Sequence, residues 1–219
     1  MNDWDSRYKQ DNSSPPATNT YSNNQGKKFF PKKKDDSPGK IYNSFAIFSN
    51  ENPPADVLHR AELAAALLAE YNFTLRTDKM NALNKPFEDR FTNLPGMLEI
   101  YAPWKDFNNN GTVIETKNYF ASSQSKDIAK MFFPSFDTMK PVVQAFLSRN
   151  VRLILGEKLK SNTNLLVVWS QDGAECKKQL TIATGFLQHP LKIAFAAHIP
   201  VYNLQNPDAV ERIRLFLNY

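Results

Sequence analysis

Between residues 41 and 219 the apolar positions alternate between strand-like runs and helical stripes. "IYNSFAIFS" (41–49) is a short β-prone run closed by "NENPP", and in the following "ADVLHRAELAAALLAEY" Val57, Ala61, Ala64, Leu68 and Tyr71 recur at helical spacing. Asn52 before Pro53 and Pro54, with Asp56 in the first turn, supplies a helix start. The alternation then repeats. "FTLRT" (73–77) reads as a strand, 84–91 as a short helix and "MLEIYAP" (97–103) as a strand, followed by a long polar loop. "MKPVVQAFLSRNVRLIL" (139–155) places Val143, Leu147, Val151 and Ile154 on one helical face. "NLLVVWS" (164–170) is the most hydrophobic run, as expected of a central parallel strand that is apolar on both faces. A helix over 187–197, the strand "IPVYNL" (199–204) and a helix from Asp208 complete the pattern.

Five strands alternating with helices predict an α/β fold, an open, mainly parallel, doubly wound Rossmann-like sheet. Ligands of such sheets bind beyond the carboxyl ends of the strands. That rule selects the loops 49–54, which begins with Ser49 and Asn50, 77–86, 103–112 and 170–188.

Residues 1–40 differ in kind. They contain no Val, Ile or Leu and are rich in Asn, Ser, Pro and Lys, the composition of a disordered arm. They hold eight Lys or Arg against five Asp, while residues 41–219 hold nineteen basic against seventeen acidic residues, so the folded part is nearly balanced. Within the arm, Lys27, Lys28, Lys32, Lys33 and Lys34 flank Phe29 and Phe30. Lysines neutralise phosphates and an aromatic ring can stack on an unpaired base, a combination suited to single-stranded nucleic acid. A solubilising tail, or a peptide that docks two phenylalanines into a protein partner, fits the same residues.

At 219 residues and 42% hydrophobic content the chain suits one domain plus extra material. No run of about 18 apolar residues occurs and "MNDWDSRYKQ" lacks the apolar stretch of a signal peptide, so a cytoplasmic protein with no membrane association is expected. The one cysteine, Cys176, cannot form an internal disulfide or a thiolate cluster. His59, His189 and His198 lack metal-ligand spacing and are expected in surface or satisfied positions. No cofactor and no metal is expected.

The candidate loops carry a resemblance. "IFSNENPPADVLHRAELAAALLAEYNFTLRT", "FED", "EIYAPWKDFN", "RNVRLILG", "LLVVWSQDGAE" and "ATGFLQHPLKIAFAAHIPVYNL" resemble, in this order, the SLOG superfamily of Rossmann-like proteins, which includes DNA-processing protein A and the LOG phosphoribohydrolases. The nearest likeness is to uncharacterised, often phage-borne members. The resemblance covers nearly all of 41–219 and implies a nucleotide-like or nucleic-acid ligand, and domains that often self-associate into homo-oligomers.

Its motifs are altered. Against a family pattern like R-S-G-G-A-x-G-A-D-x-A-F-E, Arg76 and Thr77 match the Arg-Ser pair and Phe87 and Glu88 the Phe-Glu pair, but Asp78 and Lys79 stand where two glycines belong, Ala82 where the third does, and Asn84 in the acidic position. Against T-G-G-T-G-Q-A, Thr184 and Gly185 match while Phe186 and Gln188 replace glycines. Glycines in such loops allow close backbone approach to phosphate and positive φ. Phosphate binding should therefore be weakened unless Lys79 or Arg76 turns inward to replace the amides.

The glutamate that assists N-glycosidic cleavage in the LOG-type enzymes has no counterpart in "ATGFLQHPLK". The other rim carboxylates, Asp78, Glu88, Asp106, Asp172 and Glu175, read as solvated loop charges or helix caps. In "YAPWKDFNNNG" (101–111), Trp104, Lys105 and Asn108 could stack on a base and hold a phosphate or sugar edge, or Trp104 and Phe107 could pin the loop to the core. Trp169 reads as structural. Three functions remain open: a non-catalytic module for nucleic acid or a nucleotide-like ligand, a protein-interaction protein that kept the fold without the ligand, and a nucleoside-monophosphate glycosidase with a rearranged site.

Overall fold

A computed structural model describes residues 43–50, 52–78, 83–104 and 122–218. All lie within the compact unit Lys34–Tyr219. The fold is α/β. Strands β1 (Ser44–Ser49), β2 (Thr74–Thr77), β3 (Leu98–Ile100), β4 (Leu165–Trp169) and β5 (Val201–Asn203) form one sheet in the order β3-β2-β1-β4-β5, and every neighbouring pair is parallel. The order reverses direction between β1 and β4, where Asn50 N–H donates to Trp169 O at 3.1 Å just past the strands. This is the topological switch point of a doubly wound sheet.

Helices α1 (Ala55–Glu70), α2 (Asn84–Phe91), α3 (Ser123–Phe132), α4 (Pro141–Leu155), α5 (Gln188–Ala196) and α6 (Ala209–Leu217) cover the sheet. The expected α1 stripe is the buried one: Val57, Ala61, Ala64 and Leu68 are fully buried, and Tyr71 packs against the same core. It lies over Phe45, Ile47, Leu75, Leu165, Val167 and Trp169, the side chains of alternate strand positions. Phe45 is the aromatic hub, with ring centroids 6.5 Å from Phe73, 5.7 Å from Phe87 and 5.4 Å from Phe91. Burying each such ring contributes roughly 2–3 kcal/mol. β4 is buried along its whole length, as its composition predicts for a strand covered on both faces.

Three local expectations change. The α1 start does not use Asn52 as a side-chain cap; the N-cap position is Pro54, no side-chain bond caps the helix, and Asn52 sits at φ 56° in the left-handed turn that precedes it. The segment between 103 and 139, read as a loop, contains α3, whose start is capped by Ser122 Oγ accepting from Ser125 N–H at 3.2 Å. Strand β3 is only three residues long, so most of "MLEIYAP" is connection. At the end of α4, Gly156 has φ 78°, and a Cβ there would stand 2.1 Å from Ser161 Oγ. Only glycine fits that turn.

Candidate functional site

The carboxyl ends of the strands bring the expected residues together in two groups. The first sits at the switch point. Ser49 ends β1 in register with Trp169, and the Asn50 amide donates to the carbonyls of Ala183 (3.2 Å) and Thr184 (3.4 Å). Gly185 lies beside it at φ 56°, where a Cβ would come within 3.4 Å of Asn50 Oδ1. Ser49, Asn50, Thr184 and Gly185 therefore share one corner, although they are 134 residues apart in the chain.

What organises this corner is Asp172. Its carboxylate accepts from Ser170 Oγ (2.6 Å), Ala174 N–H (3.3 Å), Thr181 N–H (3.3 Å), Thr181 Oγ1 (2.7 Å) and Thr184 Oγ1. Burial alone would raise its pKa, but the hydroxyls of Ser170, Thr184 and Thr181 and the Ala174 amide outweigh it and hold the group down at about 2. Buried Asn203, at the end of β5, completes the scaffold: its amide donates to Ser170 Oγ (2.8 Å) and Ala174 O (3.3 Å), while its own N–H donates to Glu175 Oε1 (2.7 Å). Glu175 in turn takes a two-pronged bond from Arg212 of α6 at 2.6 and 2.7 Å. Neither carboxylate is the solvated loop charge expected from sequence. Both are structural anchors.

The second group lies at the end of β2. Thr77 Oγ1 donates to Glu88 at 3.1 Å, and the Asn84 amide donates to Asp78 at 2.7 Å. Asp78 forms an ion pair with Arg149 of α4 at 2.8 Å, both side chains being almost wholly buried. Burial lowers the pKa of the Arg149 guanidinium and the charge of Asp78 raises it in part. Asp78 is thus not a solvated loop charge; its charge is answered from α4. Glu88 is likewise a partner of Thr77, and Phe87 beside it is a core residue packed on Phe45.

Arg76 belongs to neither group. Its guanidinium donates to Glu99 of β3 at 3.1 Å and to the Ser161 carbonyl at 2.8 Å, so it does not turn toward the loop as a substitute phosphate donor. Glu99 also accepts from Tyr101 Oη at 3.1 Å. Trp104, 38% exposed, stands past β3 with its ring edge-on to Phe146 of α4 at 5.5 Å, and the Arg149 guanidinium lies 5.1 Å from the same Phe146 ring. Trp169 is structural, 3% exposed with its indole N–H donating to Gln205 at 3.0 Å. Lys79, Ala82, Lys105, Asp106, Phe107, Asn108 and the arm residues Lys27, Lys28, Phe29, Phe30, Lys32, Lys33 and Lys34 lie outside the described residues.

Among the histidines, His59 faces Glu62 at 3.5 Å on the surface and His198 is exposed. His189 departs from expectation. It is 1% exposed against the Phe133 ring, and neither ring nitrogen makes a hydrogen bond of full geometry. Burial pushes its pKa down to about 4, opposed by the nearby Ala129 backbone and reinforced by Lys192. Among the described residues no group of three His, Cys, Asp or Glu side chains is arranged to hold a metal ion, and no helix is long and apolar enough to cross a membrane.

Arg149, Glu99 and Asn203 were not singled out in the sequence. From Leu147 to Leu155 every residue except Asn150 is buried, so Arg149 needs a partner inside, and that partner, Asp78, lies 71 positions earlier, where no local pattern pointed to it. No protein-family model, curated protein or solved structure matches this chain.

Proposed function

We propose that residues 41–219 form a non-catalytic binding module, a SLOG-type domain with altered glycine loops, which takes a nucleotide-like ligand or single-stranded nucleic acid on the rim around Trp104. The lysine and phenylalanine segment 27–34 adds affinity for the same ligand. The observation that carries this reading is the position of Trp104. Its partly exposed indole stands at the carboxyl edge of the sheet, steadied edge-on by Phe146. A supported, partly exposed aromatic ring is what a base stacks on.

The described rim carboxylates support binding over catalysis. Asp78 is held by Arg149, Glu88 by Thr77, Asp172 by three hydroxyls and Glu175 by Arg212. A general acid near neutral pH needs a raised pKa, whereas Asp172 is pulled to about 2. A thermal-shift screen of nucleotides on the full chain tests the reading. Stabilisation by a nucleotide that is lost in Trp104→Ala supports it, and release of free base from an incubated nucleotide contradicts it in favour of a glycosidase.

A further inference from the structure

The loop organised by Asp172 also displays Ile182, which is 92% exposed, the highest value among the large hydrophobic side chains of the described residues. Phe186, 57% exposed, follows four residues later. A single exposed isoleucine on a slack loop would call for no explanation. This loop is held on both sides of the residue. Thr181 donates its N–H and Oγ1 to Asp172, Ala183 N–H donates to Thr181 Oγ1 at 3.1 Å, Asn50 bonds the Ala183 and Thr184 carbonyls, and Gln188 Nε2 donates to Thr181 O at 2.9 Å. The backbone is fixed so that Ile182 points to solvent, which removes much of the ordering cost of forming a complex.

The local charge is one-sided. Asp172 and Glu175 are engaged within the fold, whereas Lys177 and Lys178, both exposed, make no ion pair among the described residues. Residues 177–186 therefore carry a fixed exposed isoleucine, a partly exposed phenylalanine and two exposed lysines with no ion pair among the described residues. We infer that residues 177–186 dock a protein partner through a short acidic segment that carries an aliphatic or aromatic side chain. Complementary charge steers such a segment to the loop, and the apolar contact with Ile182 holds it. The backbone on both sides of Ile182 is held by Asp172, Asn50 and Gln188, so the isoleucine is a fixed anchor for a peptide side chain rather than a mobile contact with a lipid surface. This inference goes beyond the ligand reading and does not depend on Trp104.

The test is selection of random dodecamer peptides displayed on phage against the full-length chain. The expected enriched peptides place Asp or Glu next to Leu, Ile, Phe or Trp. Binding of one such synthetic peptide should weaken about tenfold in Ile182→Ser and at least several-fold in Lys177→Glu/Lys178→Glu, with melting temperatures unchanged. No enrichment, a basic consensus, or an affinity indifferent to Ile182→Ser overturns the inference. So does Ile182-dependent binding to phosphatidylserine vesicles without peptide binding, which would assign the patch to a lipid surface.

Discussion

Asp78 and Arg149 form an ion pair at 2.8 Å with side chains only 5% and 6% exposed, joining the end of β2 to the middle of α4. The pair thereby clamps the end of β2 to α4. An aspartate there would be costly if left alone, since an isolated charge in such surroundings must be paired or neutralised. With Asn84 donating at 2.7 Å as well, Asp78 closes the rim from the inside.

Removing one partner should cost more than removing both. Asp78→Ala or Arg149→Ala is expected to destabilise the domain by about 3–5 kcal/mol, because each leaves the other group charged and buried. The double variant Asp78→Leu/Arg149→Met should recover much of that loss. Urea unfolding of the three variants checks the ordering.

Acid sensitivity should come first from His189. In the folded state the ring stays neutral until about pH 4, while the unfolded chain takes up a proton near the ordinary histidine value of 6.5. Stability therefore falls as pH drops from 6.5 to 4, by up to about 3 kcal/mol, and falls no further on this account below pH 4. The measurement is the melting temperature between pH 7 and 4, where His189→Leu should flatten the slope.

A separate decline belongs to Asp172. Its folded value of about 2 lies below the ordinary 3.8, so the stability it contributes is complete above pH 4 and is lost as pH falls toward 2. After solvent screening this amounts to about 1 kcal/mol. Asp172→Ala should release the turn it anchors, and hydrogen exchange of the Thr181, Ala183 and Thr184 amides should speed up at neutral pH while β4 stays protected.

Gly156→Ala should destabilise the fold by more than the 1 kcal/mol typical of a helix-end glycine, since its Cβ would meet both the side chain and, at 2.7 Å, the carbonyl of Ser161. That carbonyl is also an acceptor for Arg76. Chemical denaturation of Gly156→Ala beside Gly96→Ala, where a Cβ would meet nothing within 4 Å, separates the steric cost from the backbone cost.

The architecture was legible because it is written in periodicity. The α1 stripe and the uniformly apolar β4 leave little choice of which surface faces inward. α3 escaped notice because the apolar residues of SQSKDIAKMF, Ile128, Ala129, Met131 and Phe132, are confined to its second half after a polar start, too short a run to stand out from the polar stretch before it; its clearest mark was the Ser122 cap. The rim was less legible for a different reason. Whether Arg76 and Asp78 face a ligand or each finds an internal partner depends on Glu99 and Arg149, which lie 23 and 71 positions further along the chain and meet them only once the strands are ordered. Sequence could mark those positions as unusual, and only geometry could say where their charges go.

Binding at the rim through the indole of Trp104, as proposed above, can be measured directly. Fluorescence anisotropy of a labelled oligothymidylate titrated with the full chain, at several salt concentrations, tests it most directly. The account predicts salt-dependent binding that weakens about tenfold or more in Trp104→Ala, in line with roughly 1–3 kcal/mol for one stacked base. Equal affinity for the wild-type chain and Trp104→Ala at every salt concentration would contradict it.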